Sequence, residues 1–354
     1  MKVLVTGGAG FIGSHTVVAL VKAGYTPIII DNFENSDNSV LDGLAEILGA
    51  QPLCYEGDCR DGELLSMIFE AHPDLQGVIH FAANKAVGES VKDPLKYYDN
   101  NLGSTITLLK AMVHYGVPNL AFSSSCTVYG QPEVLPVTEN SPVQPAQSPY
   151  GNTKQICEEI LQDAVRSGLN LRVLSLRYFN PIGAHESAII GELPIGPPQN
   201  LVPFITQTAV GLREQLSIFG HDYNTSDGTC IRDYIHVVDL ADAHVAAIKV
   251  LEAKQDVDQY YDFVNIGTGT GSTVLQVVNT FEAVSGVKVN YQLVDRRPGD
   301  VEQVYAQVDK ATNLLGWKTK LTLEDALRDA WRWEQRLAEN RADEADEEED
   351  GFMD

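Results

Sequence analysis

Residues 2–13 read KVLVTGGAGFIG, an apolar β-rich run, a glycine cluster and the start of an apolar helical pattern. This feature constrains the fold most. It contains Gly8-x-Gly10-x-x-Gly13 and equally Gly7-x-x-Gly10-x-x-Gly13. Glycine lets such a loop turn tightly and lets backbone approach a pyrophosphate seated at a helix N-terminus. The triplet alone is weak, but here it follows a predicted strand and opens a predicted helix, GSHTVVALVKAG. The next strand, PIIID, ends at Asp31. A carboxylate at that point accepts from both ribose hydroxyls of an adenosine and repels a 2′-phosphate, which favours NAD over NADP. Asp58, after a third candidate strand, is placed to accept from an adenine amino group, and a plain surface turn explains it equally well.

Further strands are predicted at GVIHFAA, LAFSSS and LRVLSLRYF, with helices at STITLLKAMVHYG and NTKQICEEILQDAVRSG between them. Alternation of this kind predicts an α/β fold, a doubly wound parallel sheet of Rossmann type covered on both faces. After Asn180 the texture changes. PIGAHESAIIGELPIGPPQN is a Gly- and Pro-rich structured loop, VPFITQTAVG a helix, and DYIHVVDLADAHVAAIKVL a strand leading into a helix. The organisation expected is a cofactor domain over 1–180, rejoined by about 236–265, and a smaller discontinuous substrate domain over 181–338. Residues 339–354 carry nine acidic residues and one arginine and read as a disordered, solvated tail.

Composition narrows the function classes. A formal net charge of −24 over 354 residues argues against an extended nucleic-acid surface. No apolar run approaches the length of a membrane span, and the N-terminus leaves no room for a signal peptide. Five scattered cysteines, Cys54, Cys59, Cys126, Cys157 and Cys230, are an odd number, so no disulfide framework is expected. A reducing cytosol fits best. Cys54 and Cys59 read as packing residues rather than zinc ligands, and no metal site is expected.

The chemistry concentrates around SPYGNTK, residues 148–154. A helix starting near Ser148 puts Tyr150 and Lys154 on one face, where the ammonium favours the phenolate and makes a usable base. In isolation the pair reads better as an idle, exposed first turn. FSSSCTVYG supplies a strand end at the expected ligand crevice, where a hydroxyl of Ser123, Ser124 or Ser125 can share a substrate hydroxyl with Tyr150.

The glycine start with Ser125, Tyr150 and Lys154 resembles the extended short-chain dehydrogenase/reductase superfamily. Longer stretches resemble one family within it, the UDP-glucose 4-epimerases: FAANKAVGESVKDPLKYYDNN, LRYFNPIGAHESAIIGE, NLVPFITQTAVG, DGTCIRDYIHVVDLADAH and RRPGDVEQVYA. The resemblance covers roughly residues 1–335. It implies interconversion of UDP-galactose and UDP-glucose through a 4-ketosugar on tightly bound NAD, with Tyr150 as base, Ser125 bridging and Lys154 depressing the tyrosine pKa. Cofactor contacts implied are Gly7, Gly10, Phe11, Ile12, Gly13, Asp31, Asn32, Asp58, Phe81, Lys85, Asn100, Tyr150 and Lys154. Substrate contacts implied are Lys85, Ser125, Tyr150, Asn180, Asn200, Leu201, Phe219, Arg232, Arg297, Asp300 and Val304. The two arginines suit a diphosphate, and singly each reads as an ion-pair partner of Asp233 or Asp295. Val304 stands where selective relatives carry a bulky aromatic, which extends the expected substrates to N-acetylated UDP-hexosamines. A cytoplasmic homodimer is also implied. The alternatives are another NAD-dependent nucleotide-sugar epimerase, dehydratase or decarboxylase, and a catalytically silent NAD-binding regulator. A 4,6-dehydratase needs an acid pair after the strand-end hydroxyl, where this chain has Cys126 and Thr127.

Overall fold

The computed structural model describes residues 1–297 and 300–351, with side chains described to Asp343. Strand β1 (Lys2–Thr6), helix α1 (Phe11–Lys22), β2 (Thr26–Asp31), α2 (Ser39–Leu48) and β3 (Leu53–Glu56) build one half of a sheet. Helix α3 (Gly62–Ala71), β4 (Leu75–His80), α4 (Val87–Lys92), α5 (Pro94–Tyr115), β5 (Asn119–Ser125), a 3₁₀ turn (Cys126–Tyr129), α6 (Pro149–Arg166) and β6 (Leu171–Tyr178) build the other. The chain then leaves the sheet through β7 (Asn180–Ile182), α7 (Leu201–Ala209), β8 (Leu216–Phe219) and β9 (Ile231–His236). Helix α8 (Val237–Glu252) brings it back to β10 (Gln259–Ile266). Last come β11 (Gly271–Thr273), α9 (Val274–Ser285), β12 (Tyr291–Val294), β13 (Gln303–Val304), α10 (Asp309–Leu315) and α11 (Leu323–Gly351).

The seven strands β10-β6-β5-β4-β1-β2-β3 form one parallel sheet, the Rossmann-type α/β architecture. Burial on both faces explains the near-continuous apolar strands, and the alternation of side chains sorts them. Val3, Val5, Ile29, Ile79, Ala121, Leu174 and Leu176 face a core shared with α1 and α8. Their neighbours Leu4, Ile28, Ile30, Val78, Leu120, Phe122 and Val173 face a second core with α3, α5 and α6. Strand order reverses between β1 and β4, so the crevice at their carboxyl ends is where a ligand belongs.

Outside this sheet, β9 pairs with β7 and β13 in parallel and with β11 antiparallel, while β8 pairs with β12. A third core, including Ile205, Ile218, Val277, Phe281 and Leu327, fills the space among α7, β8, α9 and α11.

At the carboxyl end the structure departs from the sequence expectation. Helix α11 continues past Ala338 to Gly351 instead of giving way to a disordered tail at 339. Ala, Arg and Glu are strong helix formers, and Arg341 reaches back 2.8 Å to Glu334. Residues 352–354 lie outside the described residues. All five cysteines are free. Among the described residues no helix is long and apolar enough to cross a membrane, and no group of three or more His, Cys, Asp or Glu is placed to hold a metal.

Candidate active site

The glycine loop is shaped by contacts that no side chain can share. Gly7 has φ +69°, and a Cβ there would lie 2.8 Å from the Ala82 amide nitrogen beyond β4. A Cβ on Gly13 would lie 2.1 Å from the Gly7 carbonyl oxygen. Helix α1 begins after Gly10 with no side-chain cap and no acidic residue in its first turn, so its free amides point into the crevice. Asp31, only 8% exposed, closes the other side. Its Oδ2 accepts from the Ala9 amide at 2.9 Å, and its Oδ1 from the Phe33 amide at 3.0 Å and the Ser36 hydroxyl at 2.9 Å. Both lone pairs of Oδ1 are thus taken, and one remains on Oδ2 for a ribose hydroxyl. Asn32, Asp58, Phe81, Lys85 and Asn100 line the same cleft. Arg60 holds the Asp58 carboxyl below the usual carboxylate range through a 2.7 Å bond from its guanidinium. An uncapped helix end, a glycine cradle and a ribose-facing carboxylate fit NAD.

Tyr150 and Lys154 enter the cleft from α6. Ser148 caps that helix by accepting from the Gly151 amide at 3.1 Å, and Pro149 takes the first position, where a missing N–H is harmless. Ser125 ends β5, and its hydroxyl accepts from the Thr127 amide at 3.2 Å. The neighbouring Ser123 is 2.6 Å from the Tyr178 hydroxyl. Lys154 Nζ donates to the Ser123 carbonyl at 2.8 Å and lies 5.1 Å from the Phe122 ring centre. The ring of Tyr150 is 5.9 Å from the same nitrogen.

Burial is the electrostatic feature that the sequence did not reveal. Burial dominates: it pushes the Tyr150 phenol above its ordinary range, with the Tyr178 hydroxyl adding to the rise and the Ser125 hydroxyl opposing it. Burial also pushes Lys154 down to about 8. Each charge is penalised by burial, and an opposite charge nearby offsets that penalty.

The remaining sequence-derived residues lie off this cleft lining, among the described residues. Arg232 on β9 donates to Asp300 at 2.5 Å, and Arg297 sits 3.5 Å from the other oxygen of the same carboxylate. Asp300, not Asp233 or Asp295, is therefore the partner of both arginines. Asp233 instead takes the amides of Thr268, Gly269 and Ala306. The Arg297 guanidinium also lies 5.5 Å from the Phe219 ring. Asn180 pairs with Tyr234 and Val304 with Arg232, which places both strands beside the arginine. Val304 is 7% exposed, packed with Val128, Tyr129, Phe179 and Ala306. Asn200 precedes Leu201 at the start of α7 but leaves that helix uncapped and donates to Glu192 at 2.5 Å. Lys85 lies 3.8 Å from the same Glu192 oxygen, so one carboxylate spans the gap between cleft and α7.

A family model described as GDP-mannose 4,6 dehydratase matches residues 4–330. The curated UDP-glucose 4-epimerase of Bacillus subtilis (strain 168) is 51% identical over 334 residues, 94% of this chain and 97% of that protein. The chain belongs to the UDP-glucose 4-epimerase family. Its fold superimposes on a UDP-glucose 4-epimerase from Stenotrophomonas maltophila, crystallised with NAD and formylated UDP-arabinopyranose, at TM-score 0.92 and 44% identity, covering 96% of this chain and 99% of that one. A UDP-glucose 4-epimerase from Bifidobacterium longum with NAD⁺ and UDP gives 0.90 and 45%, covering 95% and 98%.

Several residues of this UDP-glucose 4-epimerase site were not singled out by sequence. Ser36 and Asn84 reach the cleft from loops, and Tyr178 arrives opposite Ser125 through strand pairing. Only the register of β5 on β6 reveals Tyr178. Glu192 sits in a Gly/Pro-rich loop whose path no local pattern sets.

Proposed function

We propose that the protein is an NAD-dependent UDP-hexose 4-epimerase that interconverts UDP-galactose and UDP-glucose. The observation that carries this reading is that Tyr150 and Lys154 line the cleft that the glycine loop and Asp31 open, with the Ser125 hydroxyl set against the Tyr150 phenol. Bound NAD would take a hydride from sugar C4 and return it to the opposite face of the 4-ketosugar. Tyr150 removes the proton of the 4-hydroxyl and later gives it back, Ser125 sharing that hydrogen bond. Lys154 supplies the positive charge that lets the buried phenol ionise.

Gly7, Gly10, Phe11, Ile12, Gly13, Asp31, Asn32, Asp58, Phe81, Lys85 and Asn100 are assigned to the cofactor. Asn180, Asn200, Leu201, Phe219, Arg232, Arg297 and Asp300 are assigned to the UDP-sugar, with Lys85 reaching both. Arg232 and Arg297 exchange the Asp300 carboxylate for diphosphate oxygens, which guanidinium suits. On this reading residues 1–180 with 236–265 hold the cofactor and the rest to 338 holds the nucleotide sugar. A valine at 304, smaller than an aromatic, supports turnover of UDP-N-acetylglucosamine as well. The apolar, exposed Val87, Val91 and Leu95 on α4 and α5, with Leu95 78% exposed, support a homodimer through those helices. Reduced cysteines and an acidic surface suit a cytoplasmic setting.

Purified protein given UDP-galactose tests the reading. UDP-glucose is expected to form with no stoichiometric NADH. Accumulation of NADH in step with substrate loss would make the protein a dehydrogenase and sink the assignment.

A further inference from the structure

One buried carboxylate behind the site has no part in the reading above. Glu158 lies one turn beyond Lys154 on α6 and is 6% exposed. It accepts from the Ser124 hydroxyl at 2.5 Å and from Nε and a terminal nitrogen of Arg177 at 2.9 and 2.5 Å. Arg177 on β6 is itself buried, 3.8 Å from the Phe263 ring centre of β10 and 4.9 Å from that of Tyr129 in the 3₁₀ turn. Three pieces of chain, α6, β5 and β6, thus meet at the carboxylate, and two more pack against its arginine.

The position of Ser124 gives this cluster its consequence. It stands between Ser123, whose carbonyl receives the Lys154 ammonium, and Ser125, the strand-end hydroxyl. Side chains alternate along a strand, so the Ser124 hydroxyl leaves from the face opposite its two neighbours. A bond to it fixes the tip of β5 from behind, and fixes it to the very helix that carries Tyr150 and Lys154. We propose that Glu158 is a positioning residue for the reaction: its buried carboxylate ties the end of β5 to α6 and so sets Ser125 and the Ser123 carbonyl against Tyr150 and Lys154. The proposal deepens the epimerase reading and rests on it.

Charge points the same way. Tyr150 and Cys157 share α6 with Lys154, His80 faces it from β4 and Tyr178 from β6. Burial raises the phenols and the thiol and lowers His80 to about 3. Burial is the main influence on the Lys154 pKa and lowers it; Cys157 and then the Glu158 carboxylate raise it against that burial. Arg177 lies on the far side of that carboxylate.

Three variants test the assignment. Ser124→Ala removes the tether and spares the ion pair; kcat is expected to fall about tenfold, with KM for UDP-galactose within about twofold, because misplacement costs rate rather than affinity. Glu158→Gln is expected to lower kcat further and to move the Lys154 titration down by about half a pH unit or more. That titration is read by ¹³C NMR of lysine-labelled holoenzyme and assigned by its loss in Lys154→Met. Glu158→Gln/Arg177→Met leaves no stranded cation, so it folds where the single variant fails, and its kcat is expected to stay low. Wild-type kcat in both Ser124→Ala and the double variant overturns the proposal. So does an unmoved Lys154 titration in Glu158→Gln. Wild-type protein inert toward UDP-galactose overturns the epimerase reading alone, since the NMR titration still decides for or against Glu158.

Discussion

Tyr150 and Lys154 sit where neither is comfortable as an ion alone. Desolvation raises the one and lowers the other to about 8, so on the proposed reading the nearby ammonium is what offsets burial of the phenolate. Removing the cation leaves the phenol with burial only. Lys154→Met is therefore expected to slow turnover and to move the acid limb of the kcat/KM profile alkaline; a limb that stays in place would uncouple the two residues. Tyr150→Phe removes the proton acceptor and little else. It should keep bound NAD and the fold, read by cofactor absorbance and circular dichroism, yet lose ~10²- to 10⁴-fold in kcat, the usual worth of a general base. Val304 raises a question of volume at the same scale. A Val304→Tyr side chain must enter a packed cluster with Phe179 and Tyr129 or swing toward the sugar. It is expected to cost UDP-N-acetylglucosamine turnover far more than UDP-glucose turnover, and equal losses on both would remove residue 304 from specificity.

At the scale of elements, the glycine loop and α1 form a unit that tolerates almost no added atom. Gly13→Ala puts a methyl 2.1 Å from the Gly7 carbonyl, so the loop must open, and protein purified with this change should carry little NAD and melt lower. Helix α11 behaves differently. Cutting after Ala338 removes Arg341 but keeps the buried Glu334 and its 3.1 Å bond from Thr206, so kcat and KM should not change. A raised KM would place the acidic helix end in the site. These two elements also show what the sequence made legible. The β1–loop–α1–β2 unit and the Ser148-capped α6 could be read because their signals are local: periodicity, caps and glycines a few residues apart. The sharing of Asp300 by two arginines could not, because it spans 68 residues and depends on how β9 meets β13. Likewise nothing local marks Glu158 among the acids of α6. The helical carboxyl end was missed because like charges suggest repulsion, while the propensity of Ala, Arg and Glu acts through the backbone.

For the molecule as a whole, buried histidines set the acid limit. Burial lowers His15 and His80 to about 3 and His244 to about 4, from an ordinary 6.5. The unfolded chain therefore binds more protons than the folded one between about 6.5 and 4, and stability falls as pH falls through that window. Urea midpoints at pH 7, 5.5 and 4.5 should decline in order, and His244→Gln should flatten the decline; a midpoint constant from 7 to 4.5 would show the histidines already protonated in the fold. The other whole-chain consequence comes from β10. Strand β6 gains its outer neighbour only when residues 259–266 pair with it, some eighty residues after β6 itself ends. A growing chain thus leaves the ribosome with a long strand, buried in the finished fold, bare along one edge while α7 to α8 are still being made. Such an edge invites other chains. Synthesis speed through residues 181–258 and chaperone cover during that interval, more than the stability of the finished enzyme, then decide how much of it a cell recovers.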